Sequence, residues 1–239
     1  MRFEFATSNR IIFGPGVISE VPALAVTLGQ RVFIVTDSLE RSMGLRDGLL
    51  ALGVAVEFFL VKKEPDLDSV LVAIRNIQEF SAQLIISLGG GSTLDTGKAA
   101  AVLATNPGNP HDYLEVVGSG LPLQNPSIAT IAIPTTAGTG SEVTRNAVIN
   151  LPENRIKVSL RSPLLLPRVA LVDPALTRDL PPAITASTGL DALTQLIEPF
   201  VSSKANPMTA PMTGSLIFTF GSQYLIEDCA NPEKSVGRR

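Results

Sequence analysis

The chain has 239 residues, 45% apolar and 17% charged, with 19 basic against 22 acidic side chains. That allows one or two domains with a sizeable core and excludes extensive disorder. The net charge of −3 argues against nucleic acid or an anionic membrane as the main partner.

The single cysteine, Cys229, has no internal disulfide partner, which fits a reducing, cytoplasmic compartment. The opening Met-Arg-Phe-Glu-Phe carries Glu4 and lacks a continuous apolar segment, so no signal peptide is expected. No apolar run is long enough to span a bilayer.

Taken in chain order, residues 1–12 read as a strand bearing Phe3, Phe5, Ile11 and Ile12, broken by Gly14-Pro15-Gly16. Residues 18–28 have helical spacing, with Pro22 confined to the first turn. Residues 31–37 are a β-branched, apolar strand ending in Asp37. A helix over 45–52 closed by Gly53, a strand over 54–61 and an amphipathic helix over 68–80 follow. Residues 84–88 suit a strand buried on both faces. This alternation, about every ten to fifteen residues, predicts an α/β fold with a parallel sheet and helices on both faces.

Beyond a Pro-, Gly- and Asn-rich loop over 106–126, a strand is expected at 128–133. A hairpin around Pro152-Glu153-Asn154 and a last short strand at 169–172 come next. Strand signals stop from Thr185 onward, and a helix is expected from near Leu190.

Gly89-Gly90-Gly91-Ser92 stands between the strand at 84–88 and an Ala-rich helix. That arrangement brings bare amides to a helix N-terminus, where the missing Cβ atoms admit an anion and the peptide dipoles favour phosphate. It matches neither the six-residue dinucleotide fingerprint nor the P-loop spacing, so a tight structural turn is the alternative. Asp37 can accept from two ribose hydroxyls and repel a 2′-phosphate, or serve as the N-cap of the next helix. The run over 134–144 packs Thr135, Thr136, Thr139, Ser141 and Thr144 among glycines after a buried strand. Those hydroxyls suit phosphate or ribose oxygens; the alternative is a turn capping a helix near Ser141.

Lys98, one helical turn past the glycines, faces either a pyrophosphate or solvent, and Lys157 on the hairpin is equally open. Asp191 and Gln195 share a helix face beside Leu190, Leu193 and Ile197. A carboxylate in an apolar helix needs a partner or a metal, unless it is an N-terminal acid stabilised by the helix dipole. His111 is the only histidine, so the chain cannot build a two-histidine zinc or iron site.

Together these runs resemble the iron-containing, metal-dependent (group III) alcohol dehydrogenases. The resemblance rests on residues 89–92 with Asp95 and Lys98, on 134–144, on Gly189-x-Asp191-Ala192-Leu193-Thr194 and on Ala205-Asn206-Pro207-Met208. It implies a NAD(P)-binding α/β domain over 1–180 and the start of an all-helical metal and substrate domain over 181–239. It also implies hydride exchange between a small alcohol and its aldehyde or ketone. Asp37, Gly89, Gly90, Gly91, Ser92, Asp95, Thr135, Thr136, Thr139 and Lys157 map to cofactor contacts, and Asp37 favours NAD over NADP. Asp191 falls on the aspartate of a site in which one aspartate and three histidines hold Fe2+ or Zn2+, polarising the alcohol oxygen.

Gln195 stands at the first histidine position, and a neutral amide is a poorer ligand than imidazole. Residues 210–239, ending in Arg238-Arg239, do not resemble the family's continuation and read as a truncated, frameshifted or alternatively spliced end. The expectation is therefore weakened NAD binding and little or no metal-assisted turnover. The partners expected are small alcohols or aldehydes, and a second copy of the chain as in full-length relatives. Two alternatives stand beside this: a metal-free enzyme resembling maleylacetate reductases, and an inactive nucleotide or partner binder with exposed apolar surface.

Overall fold

All of Arg31–Thr36 after its first residue is buried, so its alternating side chains must fill two cores at once. The structure, a computed structural model, describes residues 2–223. Its strands are β1 (Arg10–Phe13), β2 (Arg31–Thr36), β3 (Ala55–Leu60), β4 (Leu84–Gly89), β5 (Ala129–Pro134), β6 (Asn146–Leu151), β7 (Ile156–Arg161) and β8 (Val169–Val172). Its α-helices are α1 (Val21–Val26), α2 (Leu39–Ala51), α3 (Leu67–Phe80), α4 (Gly91–Leu103), α5 (Pro182–Val201) and α6 (Thr209–Gln223).

Six strands form one all-parallel sheet in the order β1-β8-β5-β4-β2-β3, and β6 and β7 form an antiparallel hairpin. Val32 and Ile34 of β2 join Val21, Ala25, Leu45 and Leu49 of α1 and α2 in one core. Phe33 and Val35 join α3, α4 and the hairpin in the other. The alanines of α4 have a packing role: the helix is buried against β4, β5 and β6, and small side chains let it lie close. At Gly97 the approach is closest, since a Cβ there would fall 1.9 Å from Ser87 Oγ. Asp66 and Ser69 close a reciprocal capping box at the start of α3.

These elements form one unit, residues 6–135 and 141–176. Among the described residues, the other unit comprises residues 2–5, 136–140 and 177–223. It carries α5 and α6, which pack on each other.

Several expectations need correction. The first strand covers only Arg10–Phe13, because β8 begins at Val169, opposite Arg10, and offers earlier residues nothing to pair with. Helix α2 starts at Leu39, capped by Ser38, and α5 starts at Pro182, well before Leu190. No α-helix begins near Ser141; a single 3₁₀ turn, Ser141–Val143, leads almost directly into β6. The apolar stripe expected on α5 is not buried: Leu190 is 56% and Ile197 42% exposed. Helix α6 occupies much of the tail that reads as foreign, while residues 224–239, with Cys229 and Arg238-Arg239, lie outside the described residues. Among the described residues no helix is long and apolar enough to cross a membrane.

Candidate functional site

The chain runs outward from β2 to β3, then crosses back over β2 to β4 and continues to β5 and β8. The connections therefore reverse direction between β2 and β4. In open parallel sheets, the crevice outside the carboxyl ends at such a reversal is where ligands bind. The register sets Thr36 beside Leu88 and Gly89 beside Pro134, so Asp37, the glycine turn and Thr135 leave the sheet side by side. Two hydrogen bonds join them: Thr135 N donates to Gly89 O at 3.0 Å, and Gly90 N donates to Asp37 Oδ2 at 3.2 Å.

Local chemistry explains why Asp37 is available to the turn. Thr36 Oγ1 accepts from Ser38 N, and Ser38 Oγ accepts from Arg41 N at 3.2 Å. Ser38, not Asp37, is thus the N-cap of α2, which corrects the capping alternative for the acid. The other carboxylate oxygen, Oδ1, accepts from the Arg41 guanidinium at 2.7 Å. Glycine is required at 89, where a Cβ would lie 2.5 Å from Thr93 Oγ1 and 2.8 Å from Asp37 Oδ2. Gly90 is the N-cap of α4, and no side chain caps that helix. Its first residues, Gly91 and Ser92, therefore present the positive end of the helix dipole at the turn.

Lys98 meets neither of its two expectations. It is 2% exposed, and its Nζ donates to Ser141 O at 2.8 Å, Thr144 Oγ1 at 3.2 Å and Asn146 O at 2.5 Å. Asp95 Oδ1 lies 3.2 Å away. Burial pulls the lysine's pKa below its ordinary value, against the opposing pull of Asp95. Asp95 itself is fully engaged: Oδ1 also accepts from Ser141 Oγ at 2.5 Å, and Oδ2 from Val148 N at 3.0 Å. The pair staples α4 to the turn at 141–143 and to β6. Glu142, on that turn, has its pKa raised by burial, with Lys98 pulling the other way.

Lys157 pairs with Glu64 at 2.7 Å on an exposed part of the hairpin. Thr136 and Thr139 belong to the unit of α5, where Gly138 packs against Thr188. In the same unit Gln195 Nε2 donates to Asp191 Oδ1 at 3.1 Å and to Gly138 O at 3.3 Å. Both residues are exposed, so Asp191 is not the carboxylate in apolar surroundings that the sequence suggests. Among the described residues no group of three or more His, Cys, Asp or Glu could hold a metal ion. One carboxylate and one neutral amide, bound to each other, are a poor donor set for Fe2+ or Zn2+.

Sequence reasoning missed Arg41 and Thr93. The four-residue spacing of Asp37 and Arg41 was a usable signal for the first. Nothing in the sequence pointed to Thr93, which matters through its contact with the Gly89 backbone.

Comparison with known proteins agrees with this geometry. The profile of the iron-containing alcohol dehydrogenases matches residues 8–174. Long-chain-alcohol dehydrogenase 1 of Geobacillus thermodenitrificans (strain NG80-2) is 37% identical over 210 residues, 83% of this chain and 52% of the relative. The chain thus spans about half the length of the curated relatives it matches. An alcohol dehydrogenase from Oenococcus oeni superposes with a TM-score of 0.86 at 34% identity, covering 98% of this chain and 62% of its own. A sulfoacetaldehyde reductase from Bifidobacterium kashiwanohense, solved in complex with NAD+, gives 0.86 at 31% identity, covering 99% and 63%. With a profile match over most of its length and the glycine turn at the sheet's reversal point, the chain belongs to the iron-containing alcohol dehydrogenase family.

Proposed function

We propose that the chain carries the NAD-binding α/β domain, residues 1–180, of an oxidoreductase that interconverts a small alcohol and its aldehyde or ketone. The residues from 181 onward are then the start of a helical substrate domain. The observation that carries this reading is the Gly90–Asp37 hydrogen bond at the reversal point, beside the uncapped start of α4. In this reading Gly89, Gly90, Gly91 and Ser92 take the pyrophosphate at the helix N-terminus. Asp37 accepts from the adenine ribose, and Thr135 lines the neighbouring strand end. Asp95 acts at one remove, holding α4 against the turn at 141–143. Bound nicotinamide supplies the hydride acceptor or donor. The complex of the sulfoacetaldehyde reductase with NAD+ supports the choice of cofactor.

No step is assigned to a metal, because Asp191 and Gln195 do not fit one. That pairing favours a second reading in which the chain binds nucleotide with little alcohol turnover, or works without metal in the manner of maleylacetate reductases.

Fluorescence titration of the full chain with NADH tests the proposal. Saturable binding is expected, weakened roughly tenfold or more in Gly89→Ala, whose Cβ would displace Asp37. A chain that shows no NADH binding would sink the proposal. Stoichiometric iron or zinc together with full alcohol oxidation would sink the metal-poor reading alone.

A further inference from the structure

Asp37 is not a free acid. Its Oδ2 is held by Gly90 N and its Oδ1 by Arg41 at 2.7 Å, so the charge meant to repel a 2′-phosphate is already paired with a cation. Arg41 is anchored by its own backbone amide to Ser38 Oγ, in the first turn of α2. Its side chain is 34% exposed. A guanidinium has five N–H donors, and this one spends a single nitrogen, NH1, on Asp37. The other edge is open to a phosphate, for which the planar fork is well matched. Glu40 is the other charged residue of this turn and, like Arg41, is solvent-exposed. An acid at this strand end selects NAD, whereas an arginine nearby accommodates the 2′-phosphate of NADP. Here both are present and bound to each other.

We propose that Arg41 sets coenzyme choice: paired with Asp37 it cancels the acid's repulsion and offers its free N–H groups to a 2′-phosphate. The site then takes NADPH as well as NADH. This inference rests on the nucleotide reading above and revises the preference for NAD that Asp37 alone suggests.

The test is titration of the full chain with NADH and NADPH in parallel, for the wild type, Arg41→Gln and Arg41→Lys. In the wild type the two affinities are expected to lie within about tenfold of each other. Arg41→Gln should shift the ratio against NADPH by roughly tenfold or more, the typical weight of one charge-assisted hydrogen bond, and Arg41→Lys should restore part of the shift. Because a phosphate contact is involved, NADPH affinity should also fall more steeply with salt than NADH affinity. Wild-type chain that binds NADH and ignores NADPH would overturn the proposal and leave the nucleotide site standing. So would a ratio untouched by Arg41→Gln. If neither coenzyme binds, both readings fall together.

Discussion

Replacing Lys98 by Met tests the staple beneath the glycine turn. Met keeps most of the aliphatic stem and removes the ammonium. The carbonyls of Ser141 and Asn146 then lose a donor, and Asp95 loses its cation in a nearly dry site. Removing one partner of a buried ion pair costs about 3–5 kcal/mol. Asp95 keeps Ser141 Oγ and Val148 N, so the lower end, about 3 kcal/mol, is expected. Asp95→Asn alone should also destabilise, because it leaves the ammonium uncompensated. The double variant should cost less than the sum of the two by about 1–2 kcal/mol, since each single change strands the other's charge.

Urea unfolding followed by circular dichroism measures all three. The pH dependence gives a second handle. The folded pKa of Lys98 lies below its ordinary value, so between the two the unfolded chain binds more protons and stability rises with pH. The wild type should therefore gain on Lys98→Met as pH climbs from the depressed value toward 10.5, the ordinary value. A cost below about 1 kcal/mol, or strictly additive variants, would refute the argument that this ion pair ties α4 to β6.

Glu142→Gln probes the neighbouring half-buried acid. Its folded pKa is raised, so the carboxylate's cost is present at neutral pH and relieved as pH falls through that raised value toward 4.5. Wild-type stability should improve relative to Glu142→Gln on acidification, as read by denaturant midpoints from pH 7 downward; a flat difference would remove burial as the cause. Gly97→Ala should destabilise by about 1–2 kcal/mol, overpacking against Ser87 outweighing the helix preference for alanine. Adding Ser87→Ala should recover much of that loss, and thermal unfolding of the single and double variants decides it. Asp66→Ala breaks the capping box and should cost about 1–2 kcal/mol, seen as a lowered midpoint in the same assay.

The sheet and its helices were largely legible in the chain because their signals are local. β2 and β4 announce themselves as short, β-branched or apolar runs, and α3 by its stripe of Val70, Ile74 and Ile77. The hairpin β6–β7 follows from turn residues at 152–154 between two apolar runs. Boundaries were less legible. The start of α2 depends on Ser38 capping it, and the shortness of β1 depends on where β8, far away in sequence, begins.

What the sequence by itself determined was the alternation of strands and helices, the three motifs and the family they share, because each is written within a few neighbouring residues. Only the tertiary structure decided that the chain reverses direction between β2 and β4, which brings Asp37 to Gly90 across more than fifty positions. It also decided that Lys98 is a buried staple rather than a ligand. Those outcomes rest on burial and on distances between residues remote in sequence, and no periodicity or local motif encodes either one.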